Sequence, residues 1–440
     1  MFCHLFKDKA LFNLCFIMAV VLLVISCQSS SQTSQTKTTK TVLTVGKHEP
    51  ITEQLIVMVE HNPEIKGMLL RSIDMAKKKN PDKITNPAQT LEEYYTFVDW
   101  AAKAMPWTIL RNTPYSSLYE QTYQALTYFY FINDQPLPEL EGNGYYRNSL
   151  QYHEPYRTWL ILFTRNWGIF LSQKDSWNEK YYKLVLNDDK FGLREGWYED
   201  PSNWKSFNDW FSRHLKSPDQ RPIASPQDPA IVTAPADSSS QGDWKIDGDS
   251  NIVHQDGIVV KSIRLKSIPV LLGEDCHYKN AFANGTFTHM YLDVNDYHRY
   301  HFPVGGTIKE VRIIKQDDAV GGVVNWDPKL GKYIFEAAMP GWQNIQTRGC
   351  VIVDTEKYGL VAVLAVGMSQ VSSVNFEENI EPGNVVRKGD PLGYFLFGGS
   401  DIILLFQNEV EFKLTVPKEE NGEYSHLLMG EIYGTLSPAK

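Results

Sequence analysis

From Ile231 to the C-terminus the chain is written in short runs of β-branched residues. Ile231-Val232, Ile258-Val259-Val260, Val311 with Ile313-Ile314, Val351-Ile352-Val353 and Leu360 to Val366 recur between turn-forming stretches. Branching at Cβ stiffens χ1 and fits a pleated surface, so this half is expected to be β-rich. The half before it obeys a different period. Leu91, Tyr94, Tyr95, Val98, Ala102 and Met105 fall at helical spacing, Thr90 and Glu93 have capping-box spacing, and Pro106 closes the run. Further helices are expected over 115–131 and 156–171. An amphipathic helix is expected over 204–216, with Phe207, Trp210, Phe211 and Leu215 on one face. The fold class is therefore α+β, with a helical accessory domain over 46–200 and a β-rich domain over 201–440. The aromatics of the helical part (Trp100, Trp107, Trp159, Trp167, Tyr123, Tyr128, Tyr130) read as core rather than as a ligand cage.

The first 27 residues read as a targeting segment and are set aside from the fold. Lys7 and Lys9 precede an apolar run from Cys15 to Ile25, too short for a comfortable transmembrane helix. Val24-Ile25-Ser26-Cys27 resembles a lipoprotein lipobox, which implies cleavage before Cys27 and lipid on its sulfur. An ordinary signal peptide or an uncleaved anchor is the alternative. Residues 28–45 are a polar tether rich in Ser, Gln, Thr and Lys. The expected address is a bacterial cell envelope on the periplasmic side, with the outer membrane favoured by Gln28. Cys276 and Cys350 remain as one candidate disulfide, its pairing left open. A net charge of −9 excludes a nucleic-acid binder of the usual basic kind.

Three stretches of the second half could carry chemistry. Asp237 follows Thr233-Ala234-Pro235-Ala236 at the exit of a strand. His298 and His301 stand three apart in Asp296-Tyr297-His298-Arg299-Tyr300-His301-Phe302-Pro303, and would share a face if helical. Gly398-Gly399-Ser400 separates Tyr394-Phe395-Leu396-Phe397 from an apolar run ending at Phe406, as a tight turn between two strands would. Each has a plain structural reading: Asp237 caps a turn, the histidines are polar surface or part of a metal site, and the glycines punctuate two strands. No further ligand set accompanies His-x-x-His, so no metal is expected. Together Asp, His and Ser are the inventory of an activated nucleophile. Gly-x-Ser-x-Gly is absent around Ser400, which argues against an α/β-hydrolase.

From Trp204 onward the chain resembles the phosphatidylserine decarboxylases, which make a pyruvoyl group from their own serine. The resemblance rests on Trp204-Lys205-Ser206-Phe207-Asn208-Asp209-Trp210-Phe211-Ser212-Arg213, Arg221-Pro222-Ile223, Pro235-Ala236-Asp237, the two-histidine stretch and Gly398-Gly399-Ser400. It implies self-cleavage between Gly399 and Ser400 into two chains, with a covalent pyruvoyl cofactor derived from Ser400. It implies that His301 is the base, that Asp237 orients it, and that His298 serves decarboxylation. Where the family has threonine after the serine this chain has Asp401, expected as a second carboxylate beside the nucleophile. The segment 381–393 resembles a lipoyl-type barrel-sandwich strand pair, which implies a barrel-sandwich-like core.

The resemblance favours phosphatidylserine as substrate, giving phosphatidylethanolamine, with a membrane partner through the lipid anchor and a homodimer left open. Two observations pull the other way. An outward-sorted lipoprotein is displaced from the inner membrane, and the helical half resembles the extension of a branch that decarboxylates free aromatic amino acids such as tryptophan. An inactive lipoprotein that keeps the fold as a binding module is a third reading.

Overall fold

Proline opens the first two helices, where its missing N–H costs nothing. α1 spans Pro50–His61 and α2 spans Pro63–Lys79, the latter with the Asn62 side chain accepting the Ile65 N–H. The computed structural model describes residues 47–439 except 144–146, 254–265, 318–322, 337, 339, 368–372 and 399. The signal segment, Cys27, the tether, the expected strand over 258–260 and Gly399 therefore lie outside the described residues. His48–Lys440 form one compact unit.

α3 (Leu91–Ala101) starts where Thr90 accepts the Glu93 N–H. Glu93 reaches back to the N–H of Gln89 rather than of Thr90, so the box is displaced by one residue. α4 (Leu118–Asn133) begins three residues later than expected because Ser117 caps it. α5 (Tyr156–Leu171) has the expected bounds, and α6 spans Glu179–Leu186. α7 is only Phe207–Phe211, much shorter than the amphipathic run implied. Ser206 and Asp209 form a full capping box at its start, and beyond Phe211 the chain turns so that the Arg213 guanidinium reaches backbone carbonyls. α8 (Ile268–Leu272) lies in the second half.

The sixteen described strands are β1 (Ile231–Thr233), β2 (Ser238–Lys245), β3 (Thr286–Leu292), β4 (Arg299–His301), β5 (Gly306–Asp317), β6 (Val323–Asp327), β7 (Lys332–Glu336), β8 (Gln346–Asp354), β9 (Leu360–Gly367), β10 (Val374–Phe376), β11 (Val385–Val386), β12 (Pro391–Phe395), β13 (Ser400–Phe406), β14 (Val410–Leu414), β15 (His426–Leu427) and β16 (Ile432–Pro438). Eight form one antiparallel half-barrel in the order β11-β5-β8-β9-β13-β3-β2-β15. Smaller sheets are β1-β16-β14, β10-β12-β4 and the hairpin β6-β7.

Two cores lie on opposite faces of the large sheet. Ile402, Leu404 and Phe406 belong to one, and Ile403 and Leu405 to the other. A third core runs through the helical half and takes in Trp107, Trp159, Trp167, Tyr128 and Tyr130; Trp100 packs half-buried against it, and Tyr123 is likewise half-buried. Tyr297, Val324, Tyr333 and Phe397 of the β-rich half are buried in that same core. Cys276 and Cys350 are buried free thiols, not a disulfide.

Candidate active site

The site is built on the strand that begins at Ser400. β13 pairs on both sides, with Ser400 opposite Leu292 of β3 and Gly367 of β9. A strand with two neighbours has all its ladder hydrogen bonds satisfied, which makes it a rigid support. The Gly-Gly-Ser segment is not a hairpin turn. The preceding strand, β12, pairs with β4 and β10 in a different sheet, so the chain crosses between sheets just before Ser400. Gly399, and with it the expected scissile bond, is outside the described residues.

Ser400 is fully buried and its hydroxyl stands 3.4 Å from Nδ1 of His298. His298 Nε2 lies 3.0 Å from the carbonyl of Asp293. A carbonyl only accepts, so Nε2 carries the proton and Nδ1 presents a lone pair to the serine. The imidazole stacks on Phe211 with centroids 3.8 Å apart. Burial, and then the nearby Arg213 guanidinium, push its pKa down to about 3. It is a neutral base at physiological pH. The 3.4 Å separation is at the long end of a hydrogen bond, as catalytic contacts often are before the reaction.

His301 stands apart from this pair. Its Nδ1–H donates to the Gly389 carbonyl at 2.9 Å and its Nε2 accepts from the Tyr297 hydroxyl at 3.2 Å. Burial lowers its pKa to about 4. Asp237 is engaged by Arg221, whose Nε and Nη2 donate to its two oxygens at 3.0 and 2.6 Å, and by the Met429 N–H at 2.8 Å. The expected order Asp237–His301–Ser400 is thus not a hydrogen-bonded chain; the structure brings Ser400 to His298. The histidines are not on a helix either. A turn over 293–298 leads into β4, where Tyr300, with Phe302 just beyond the strand, is buried in the core and His301 lies between them. Tyr297, His301, Arg221, Arg387, Lys388 and Asp390 line a cleft of about 850 Å³.

Asp401 does not lie beside the serine hydroxyl. Successive strand residues face opposite sides, so Ser400 and Asp401 point away from each other. Behind the sheet both Asp401 oxygens are 3.1 Å from Nδ1 of His289, and Gln343 Nε2 donates to one of them at 3.0 Å. His289 Nε2 faces the Ala338 carbonyl at 3.0 Å, and Trp244 stacks on the ring. His289 and Asp401 thus form a polar pair on the far face of the sheet from Ser400. Both side chains are fully buried.

A second polar cluster holds the turn before His298. Asp293 accepts from the Tyr119 hydroxyl of α4, and Asp296 accepts from the Asp293 N–H at 2.7 Å and from His426 Nε2 at 2.8 Å. Burial raises the Asp296 pKa to about 6. Sequence reading did not single out Tyr119, His289 or His426: Tyr119 and His426 are remote in the chain from the quoted motifs, and His289 falls just before the two-histidine stretch. Arg213 and Arg221 lay within the quoted motifs, and only their partners give them roles. No cluster of three or more His, Cys, Asp or Glu suited to a metal occurs among the described residues.

The phosphatidylserine decarboxylase profile matches residues 207–435, just over half of the chain and including every residue around Ser400 described above except Tyr119. The chain belongs to the phosphatidylserine decarboxylase family. It is 35% identical over 234 residues to phosphatidylserine decarboxylase proenzyme 2 of rice, covering 52% of this chain and 34% of that one. A phosphatidylserine decarboxylase proenzyme of Chlamydia pneumoniae is 30% identical over 275 residues, with 62% and 83% covered. One from Saccharophagus degradans is 28% identical over 291 residues, with 62% and 93% covered. The chain thus spans about a third of the rice relative and most of the two bacterial ones. Helices α1 to α6 precede the matched segment.

Proposed function

We propose that the chain is a self-processing decarboxylase that cuts itself before Ser400 and acts on phosphatidylserine. The observation that carries this reading is a buried serine heading a two-sided strand and facing a neutral imidazole nitrogen. His298 Nδ1 takes the Ser400 hydroxyl proton, and Oγ attacks the Gly399 carbonyl carbon. The peptide C–N bond breaks as the ester forms, and the freed amine of residue 400 takes a proton. Loss of the α-proton then expels Gly399 as a carboxylate and leaves dehydroalanine at position 400. Water hydrolyses this to a pyruvoyl group and releases ammonia.

The residues present fit that group, because a buried strand head with a neutral base beside it is where it would be made and kept. The pyruvoyl carbonyl supplies an electron sink for the carbanion left by carbon dioxide. Phe211 stacks on His298 and packs against Phe397, which gives the base an apolar backing, and His298 Nδ1 is the atom placed to move a proton there. The names of the relatives support phosphatidylserine as substrate. The helices α1 to α6 ahead of the matched segment favour, as a second reading, a free aromatic amino acid such as tryptophan.

Mass spectrometry of the purified protein tests the reading. Two chains are expected, the smaller being 400–440 with a blocked N-terminus, and Ser400→Ala leaves one intact chain without activity. A single full-length wild-type chain with an ordinary serine would overturn it and favour the inactive binding module. Carbon dioxide release from phosphatidylserine vesicles against free tryptophan and tyrosine decides the substrate.

The membrane address remains part of the proposal. Among the described residues no helix is long and apolar enough to cross a membrane. Attachment is expected through lipid on Cys27, and loss of labelled palmitate in Cys27→Ala checks it.

A further inference from the structure

The turn that presents His298 is gripped from the helical half. Val294 N–H donates to the Asp293 carboxylate at 2.7 Å, and the Tyr119 hydroxyl donates to its other oxygen. Asn295 Nδ2 donates to the Lys190 carbonyl at 3.0 Å, and the Lys190 ammonium sits 4.1 Å over the Tyr119 ring. Arg213 Nη2 donates to the carbonyls of Asn295 and Asp296, each at 3.2 Å. The carbonyl of Asp293 itself fixes the His298 tautomer. The path from α4 to the nucleophile is therefore Tyr119 hydroxyl, Asp293 carboxylate, Asp293 carbonyl, His298 imidazole, Ser400 hydroxyl.

We propose that Tyr119 is a positioning residue for the reaction at Ser400, and that the helical half serves the site by fixing the 293–298 turn so that Nδ1 of His298 faces the serine. Its catalytic consequences rest on the function proposed above. Tyr119 does not touch the reacting atoms and acts only through Asp293. Alternative supports for the turn lie on the other side, where Asp296 is tied to His426 of β15. That side holds the turn to the sheet through Asp296 rather than through the Asp293 carboxylate. Without the phenol, the turn loses the one side-chain hydroxyl on its first carboxylate, and a displacement of even about 1 Å at a proton-transferring group can cost on the order of a hundredfold in rate.

The groups facing Asp293 are Tyr119, Tyr123, Tyr291, Lys190, Asp296 and His426. Burial raises the Asp293 pKa, and the Tyr119 hydrogen bond opposes that rise. Removing the phenol takes away a contact that favours the ionised form, so the carboxyl titrates higher.

The test compares full-length wild type, Tyr119→Phe, Asp293→Asn and the double variant. Cleavage rate, kcat and KM are followed against pH, and the His298 ring is followed by nitrogen-15 NMR. Tyr119→Phe is expected to slow cleavage ten- to a hundredfold, to lower kcat with little change in KM, and to move the acid limb of the rate profile to higher pH. Asp293→Asn keeps an acceptor for the phenol and is expected to remove that shift, with the double variant no worse than Tyr119→Phe. The His298 resonances should show Nε2–H in wild type and lose that single tautomer in Tyr119→Phe. Wild-type rates and an unmoved acid limb in Tyr119→Phe overturn the proposal, as does a rate loss matched by a fall in thermal stability with the tautomer unchanged. If wild type neither cleaves nor releases carbon dioxide, the proposed function falls, while the NMR comparison still decides whether Tyr119 positions His298.

Discussion

His298 and His301 stand three residues apart in one motif, yet their surroundings differ. His298 has an acceptor nitrogen aimed at Ser400, whereas both nitrogens of His301 are taken by Gly389 and Tyr297. Replacing each by asparagine separates the geometric assignment from the one the family resemblance implies. His298→Asn is expected to slow self-cleavage by 10²-fold or more, the usual worth of a general base, with His301→Asn affecting it less. Gel and mass analysis of cleavage over time reads the difference, and the opposite ranking would restore His301 as the base. The residue types were legible in the sequence, because a serine after two glycines and a histidine pair are short local patterns. Which histidine meets the serine was not, because it depends on the path of the 293–298 turn. The side chains that shape that turn, Tyr119 and His426, lie more than a hundred residues away on either side. Asp401 was misjudged at this scale for a simpler reason: adjacency in a strand puts neighbours on opposite faces.

At the scale of elements, the link between β12 and β13 is what leads the chain from one sheet to the strand headed by Ser400. Phe397 anchors it in the helical core, with ring centroids 5.4 Å from Trp167, 5.1 Å from Phe207 and 5.2 Å from Phe211, and with its N–H donating to Asn208. Phe397→Ala is expected to destabilise the protein by about 3–5 kcal/mol, as truncating a buried phenylalanine does, and to slow cleavage because the crossing segment loses its anchor. Denaturant melts of the Ser400→Ala background measure the first effect without the second. The helices over 91–101 and 156–171 were legible because caps and period agree. Of the expected helix over 204–216 only about a turn and a half, Phe207–Phe211, is helical. Phe207, Trp210 and Phe211 of its expected apolar face are buried while Leu215 falls beyond the helix, and the Arg213 contacts that bend the chain away are tertiary and leave no mark in the local pattern.

Across the whole molecule, the helical and β-rich halves share one buried core, so acid titration in either bears on both. Two of the buried histidines, His298 and His301, set one clear trend. Their folded pKa values, about 3 for His298 and about 4 for His301, lie below the ordinary value of 6.5. At these two sites the unfolded chain therefore binds more protons than the folded one between these limits, and their contribution to stability falls as pH drops below 6.5. In Ser400→Ala, changing His298 to Asn should flatten that fall by about 1.4 kcal/mol per pH unit at most between pH 6 and 4. Urea titrations at several pH values measure it, and an unchanged slope would mean that the ring is not held neutral. The α+β class was plain from the change in period near residue 230, since both periods are local. The sharing of a core was not, since it rests on contacts such as Tyr333 with Asn80 and Phe397 with Trp167 that span the chain. Finally, β13 is an inner strand, and β14, β15 and β16 that follow it weave into two sheets with β1 and β2. A cut before Ser400 would turn one chain into two that remain interlaced without a covalent tie. Folding before the cut is a first-order event, and reassembly after unfolding is second-order and would depend on concentration. Processing would then work as a ratchet: the precursor can find its structure repeatedly, and the mature protein has one opportunity to keep it.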